Sequence, residues 1–198
     1  MTAKPLRLAT RTSPLALWQA HHVRDLLAAL GFTSELVHVS TKGDRVTDRP
    51  LHQVGGDGLF TREVQEVVLA GDADVAIHSL KDLPTEPIPG LKVAAVPPRE
   101  AVGDVLVTRS GVSLDDLPKN AKVGTGSTRR RTQLWYVRPD LVIEDIRGNV
   151  ETRLAKLDAG EYDAIVLAEA GLTRLGLRER IQHVLPQKIM LPAIGQGA

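Results

Sequence analysis

At 198 residues the chain has room for one large domain or two small ones, and 42% hydrophobic with 25% charged residues is ordinary globular composition. The absence of cysteine excludes disulfides, thiolate metal sites and a cysteine nucleophile within these residues, and a net charge of +1 gives no bulk attraction to nucleic acid. The six histidines show no HExxH-type spacing, no stretch reaches the ~20 apolar residues of a membrane span, and residues 1–8 carry no apolar signal core, so no metal, no membrane partner and a cytoplasmic location are expected.

In chain order, residues 6–10 read as a strand. Ser13-Pro14 then opens a helix, with Ser as N-cap and Pro in the first turn, where its missing N–H costs nothing. Leu15, Trp18, Val23, Leu26, Leu27 and Leu30 give that helix an apolar stripe, and Gly31 ends it. A second strand covers 32–39, a polar glycine-rich loop 40–58, a helix about 59–70, and further strands 74–78 and 91–96. Pro97-Pro98-Arg99-Glu100 breaks the pattern, and the next strand begins at 104–108. Strand 121–124 leads through Thr125-Gly126-Ser127 into a helix, strand 141–146 through Arg147-Gly148-Asn149 into another, and strand 163–167 into Ala168-Glu169-Ala170-Gly171.

This alternation predicts an α/β fold of two doubly wound domains with mainly parallel sheets. The first domain is expected over 1–98, a crossover over 99–103, the second domain over 104–192, and a segment returning toward the first over 193–198. Two such domains make a clamshell like that of periplasmic binding proteins, with an inter-domain cleft beyond the carboxyl ends of the strands.

The residues following each strand are Arg11 and Ser13; then Lys81 and Asp82; then Thr125, Ser127, Arg129 and Arg130; then Arg147 and Arg153; and finally Arg174. Of the 25 basic residues 17 are Arg, the side chain suited to two-point recognition of carboxylate or phosphate. A ring of arginines around one acid suits a ligand with several carboxylates. Asp82 reads as an acid/base or cation-stabilising group, held ionised by its positive neighbours. Arg131 is left out, because successive helical residues point ~100° apart and three in a row cannot reach one ligand. His78 reads as a satisfied core histidine, and Trp18 and Phe60 as core.

Six segments carry a resemblance that spans essentially the whole chain. They are the run from Leu6 to Ala20, Gly58-Leu-Phe-Thr-Arg-Glu63, His78-Ser-Leu-Lys-Asp-Leu-Pro84, Gly124-Thr-Gly-Ser-Thr-Arg-Arg130, Arg147-Gly-Asn-Val-Glu-Thr-Arg153 and Leu191-Pro-Ala-Ile-Gly-Gln-Gly197. In this order and spacing they resemble the porphobilinogen deaminases (hydroxymethylbilane synthases). The resemblance implies a transferase of heme and porphyrin biosynthesis that carries a dipyrromethane cofactor attached to a Cys in a third, α+β domain. It adds four porphobilinogen molecules, each losing ammonia, and water then releases the linear tetrapyrrole hydroxymethylbilane. It implies that Asp82 is the catalytic carboxylate, stabilising the azafulvenium left by ammonia loss and the cationic pyrrole formed by ring attack. It further implies that Lys81, Arg11, Ser13, Thr125, Ser127, Arg129, Arg130, Arg147, Arg153 and Arg174 bind the acetate and propionate groups of cofactor and substrate, and that the enzyme is a monomer.

Two departures from the family pattern stand out. Its Gly-Gly-Lys-Gly segment reads Gly55, Gly56, Asp57, Gly58 here, replacing a positive charge with a negative one in what reads as a mobile lid loop; Arg62, where a Lys is usual, offers partial compensation. The chain also stops at Ala198 without a cysteine, so it is expected to be a fragment lacking the third domain and unable to turn over alone. The rival reading is a periplasmic-binding-protein-like module gripping an anionic small molecule without chemistry. A phosphate-ester enzyme using the 124–127 loop is weaker, since the GxxxxGK[ST] pattern and a cluster of acids for Mg²⁺ are both missing.

Overall fold

The computed structural model describes residues 4–45 and 58–198. Gly55, Gly56 and Asp57 of the expected lid lie outside the described residues. The chain divides into two compact units, Met1–Arg99 with Ala198, and Glu100–Gly197.

The first unit is built on a parallel sheet in the order β2-β1-β3. Strand β1 (Leu6–Arg11) pairs along its whole length with β2 (Ser34–Val39), from Leu6 opposite Ser34 to Arg11 opposite Val39, and on its other side with β3 (Val75–Ala76). Helix α1 (Pro14–Ala29) starts as its sequence dictates: the Ser13 hydroxyl accepts from Ala16 N at 3.4 Å, and Pro14 takes the first turn. Gly31, with φ of +85°, follows the helix end. The turn α2 (Lys42–Arg45) and helix α3 (Arg62–Leu69) complete the described elements of this unit up to β3. The helix expected from 59 begins three residues later, because Gly58 O first closes a turn by accepting from Thr61 N and Arg62 N. The core cluster is small: Ala9, Val39, Val64 and Ala73.

Three expectations for this unit are corrected. Of the expected stripe on α1, Leu15, Val23 and Leu27 are half-buried, whereas Trp18, Leu26 and Leu30 are exposed and the fully buried positions are Ala16 and Ala20; Trp18 stacks on His22 at 5.1 Å. Small side chains on the inner face set the helix backbone close to its support, leaving Trp18, Leu26 and Leu30 outside. Residues 91–96 form no strand: no described residue pairs with them, and Val93 and Val96 stay 62% and 51% exposed. β-branched residues favour a strand only where a ladder and a packing surface receive them. The strand expected at 74–78 shrinks to two paired residues.

The second unit carries a five-stranded sheet in the order β6-β5-β7-β4-β8. Strands β5 (Lys122–Gly124), β6 (Val142–Glu144) and β7 (Ala164–Ala168) are mutually parallel, while β4 (Asp104–Thr108) runs antiparallel to β7 and to β8 (His183–Leu185). The sheets are therefore mainly parallel, with one reversed strand and a final strand that the periodicity does not reveal. Helices α4 (Thr128–Val137), α5 (Val150–Asp158) and α6 (Glu169–Arg174) follow β5, β6 and β7. All five residues of β4 are buried, and the sheet carries an apolar cluster on each face, one around Leu106, Val123, Leu134 and Val166, the other around Val105, Val107, Ile165 and Leu157.

Candidate functional site

In the first unit, β1 delivers Arg11 and Ser13 to the rim of a recess of about 380 Å³ that is open to solvent. Ser79 and Asp82 arrive from the segment after β3, where a 3-10 turn over Leu80–Asp82 is closed by Asp82 N donating to Ser79 O at 2.9 Å. The Arg11 guanidinium lies 4.3 Å from the centre of the half-buried Phe60 ring, a cation–π contact that gives Phe60 a role at the rim rather than in the core. Gly43 lets this happen, since a Cβ there would collide with the Phe60 ring.

Asp82 is exposed at the mouth of the recess, while the walls crowd its carboxyl group. Burial there pushes its pKa above the ordinary carboxylate range; Lys81 and Arg11 pull it down without cancelling the effect. His78, on the same wall, is depressed to about 4, by burial first and by the charge of Arg11 second, and among the described residues its buried Nε2 meets no hydrogen-bond partner. Burial thus favours the neutral ring. Gln19 of α1 and Ser79 hydrogen-bond through their side chains at 2.9 Å, tying the turn that presents Asp82 to the helix that Ser13 caps.

In the second unit the expected residues separate into two kinds. Ser127 and Asn149 are N-caps, accepting from Arg130 N at 3.4 Å and Thr152 N at 2.8 Å. Thr125 is buried and accepts from Ser127 N, which fixes the loop. Arg130, expected to bind ligand, is engaged within the unit in this structure. Its guanidinium is buried, with Nε and Nη2 on Asp104 Oδ1 at 3.2 and 2.7 Å and Nη1 on Val166 O at 3.0 Å. Arg129 pairs with the other oxygen of Asp104 at 2.7 Å but keeps 26% of its side chain exposed. Arg131, set aside from the sequence, pairs with Asp145.

Arg153 differs from these. Its Nε donates to Gly148 O at 2.8 Å, and its pKa falls to about 10, through burial first and then the like charges of Arg130 and Arg147. Among the described residues no carboxylate is paired with it. A guanidinium crowded by two others is an anion-receiving arrangement. Gly148, at φ +111°, makes the turn before it; a Cβ there would come within 2.6 Å of the Thr152 side chain. Arg174 reaches the C-terminal segment, donating to Gly197 O at 2.6 Å. Lys81 and Arg62 are exposed. Among the described residues no group of His, Cys, Asp or Glu is placed to hold a metal ion, and no helix is long and apolar enough to cross a membrane.

Residues 6–198 match the family model described as porphobilinogen deaminase, dipyromethane cofactor binding domain. The chain belongs to the porphobilinogen deaminase family. Within that family it is 51% identical over 195 residues to the porphobilinogen deaminase of a Nitratiruptor species, covering 98% of this chain and 63% of that relative, so it spans less than two thirds of the relative's length. Among solved structures it is similar to the VFT2 domain of BvgS from Bordetella pertussis (TM-score 0.55, 18% identity, 94% of this chain and 76% of that one). It is also similar to a Bacillus subtilis lipoprotein described as methionine-binding (TM-score 0.56, 12% identity, 93% and 79%). At these identities the likeness shows the two-lobe α/β fold alone.

Taken unit by unit, the residues fit the chemistry of a dipyrromethane group: in the first, Arg11 offers a guanidinium to a carboxylate and Asp82 a carboxyl to a pyrrole N–H; in the second, Arg129 and Arg153 offer guanidiniums. The motif residues are visible in the sequence, but Gln19, Asp104 and Gln196 are not singled out by it. Each is a polar residue whose importance comes from burial and partners rather than from spacing, although Gln19 and Gln196 both stand inside matching segments.

Proposed function

We propose that the chain supplies the cofactor-binding and catalytic part of hydroxymethylbilane synthase, which joins four porphobilinogen molecules with loss of four ammonia and releases the linear tetrapyrrole with one water. The observation that carries this reading is Asp82, the one acid among the described residues of a recess it shares with Arg11 and Ser13, in a chain of this family. Dipyrromethane, when bound, supplies the pyrrole end to which new units are joined; the chain has no cysteine to anchor it, so its attachment point is placed outside these 198 residues.

The chain's own residues do the rest. Arg11, Ser13 and Lys81 in the first unit, and Arg129, Arg147, Arg153 and Arg174 in the second, bind acetate and propionate groups; Ser127 and Thr125 shape the loop that holds Arg129 in place. Asp82 accepts a hydrogen bond from a pyrrole N–H and stabilises positive charge developing on the ring. Its raised pKa brings it nearer to neutrality than an ordinary Asp, which suits a group that must take and return a proton at Oδ. Each pyrrole added brings two more carboxylates, which is why the binding set is dominated by Arg. The 198 residues alone are expected not to sustain turnover.

The test is the full-length protein incubated with porphobilinogen, with ammonia and tetrapyrrole both measured. Asp82→Asn is expected to lower kcat at least ~100-fold, the scale of a lost acid–base group, with the unfolding midpoint unchanged. Near-normal turnover in that variant would overturn the assignment.

A further inference from the structure

The second unit holds a buried carboxylate that the reaction does not use directly. Asp104, at the first residue of β4, is 1% exposed. Its Oδ1 receives Arg130 Nη2 at 2.7 Å, Arg130 Nε at 3.2 Å and Gln196 Nε2 at 3.0 Å, and its Oδ2 lies 2.7 Å from Arg129 Nη2. Burial pulls its pKa up, but Arg130 and Arg129 outweigh it and keep the group below the ordinary carboxylate range. Gln196 also donates to Val102 O at 2.6 Å and Gly103 O at 3.1 Å, so the approach to β4 and the segment ending the unit are tied at the same carboxylate.

We propose that Asp104 is a positioning residue for the anion-binding group, holding Arg129 in the pose in which it meets a ligand carboxylate. The proposal rests on the functional reading above. Arg129 is gripped at two points. Asp104 takes Nη2, and Leu191 O takes Nη1. Both points are themselves fixed. Asp104 is locked by the pairing of β4 with Ala168 and Leu185. Leu191 is clamped by Gln133, which accepts from Leu191 N at 2.7 Å and donates to Leu191 O at 3.3 Å. These contacts engage Nη1 and Nη2 rather than Nε–H, and 26% of the Arg129 side chain stays exposed. A guanidinium held so loses little further freedom when it binds a carboxylate, and that preorganisation is what a long side chain lacks when loose. Arg130 has the opposite role. With three of its nitrogens committed inside the unit, it supplies the second positive charge that keeps Asp104 ionised and leaves Arg129 as the outward partner.

The experiment uses the full-length protein and two readouts. In a double-mutant cycle on kcat/KM for porphobilinogen, Asp104→Asn is expected to cost about tenfold to a hundredfold, as misplacing a substrate-positioning group does. In an Arg129→Leu background the same change is expected to cost less than about twofold, because the residue it positions is gone. Losses that multiply independently would overturn the proposal, as would wild-type kinetics in Asp104→Asn. The second readout is rotation of the Arg129 guanidinium by side-chain ¹⁵N NMR in the wild-type protein: slow rotation is expected, and free rotation overturns the proposal even if Asp104→Asn does not fold. A wild-type protein that leaves porphobilinogen unconsumed defeats the functional reading instead, and the NMR result still decides whether Asp104 holds Arg129.

Discussion

His78 and Asp82 share one recess wall, and burial shifts both toward their neutral forms, one downward to about 4 and the other upward. For His78 the consequence for stability has a definite sign. The unfolded chain binds a proton on this ring near pH 6.5 and the folded chain only near 4, so between those values the unfolded state holds more protons and stability rises with pH. Acidification from pH 6.5 to 4 is therefore expected to remove on the order of 2–3 kcal/mol through this residue, and His78→Gln should flatten that part of the profile. Urea unfolding at a series of pH values reads the slope, and an NMR titration of the ring locates the pKa; a midpoint near 6.5 would show that His78 is solvated and the argument wrong. The sequence alone identifies the six motifs but not these two shifts, because a pKa depends on which walls surround a side chain and sequence spacing does not give wall thickness. The same holds for Arg130: its place in the motif is legible, but its use depends on Asp104, 26 residues earlier, a distance no local pattern spans.

At the scale of elements, what was legible was local. Ser13, Ser127 and Asn149 each cap a helix with their own side-chain oxygen, and all three are the residue types that favour that position. Asn149 does more than one job, since Thr152 Oγ1 also donates to it at 2.6 Å and the helix it starts carries Arg153. Asn149→Ala is expected to cost about 1 kcal/mol of stability, measured by denaturant unfolding, and to loosen Arg153 enough to weaken anion binding. An unchanged midpoint would mean that Gly148 and the helix itself define the turn without the cap. What was not legible needed tertiary partners. The 91–96 run has strand composition but no described neighbour to pair with, and the inner face of α1 is read from its alanines, which a search for large apolar residues passes over. Strand β8 is short and follows a charged turn, so its pairing with β4 is apparent only once β4 is in place.

At the scale of the whole chain, the two units are unequally built. The second has two apolar clusters, one on each face of a sheet whose strand β4 is wholly buried. The first, among its described residues, has one cluster of four side chains, two of them alanine, and it leaves Leu30, Phe32, Leu69, Val93 and Val96 exposed. At about 25 cal/mol for each Å² of apolar surface buried, fully burying a leucine or isoleucine contributes roughly 1.5–3 kcal/mol, and an alanine far less, so the difference in core composition amounts to many kcal/mol in the second unit's favour. Opening free energies should follow that order, because amides in a strand exchange through the cheapest opening that exposes them. Native-state hydrogen exchange followed by mass spectrometry is expected to show the amides of 105–107 and 165–167 as the slowest in the chain, with those of 8–10 exchanging at least tenfold faster. A polycarboxylate that binds the arginines should slow exchange at 129–130 and 150–153 more than at 105–107, since the core strands are already near the limit set by global unfolding. If residues 8–10 prove as protected as 105–107, the small described cluster is not the whole support of β1.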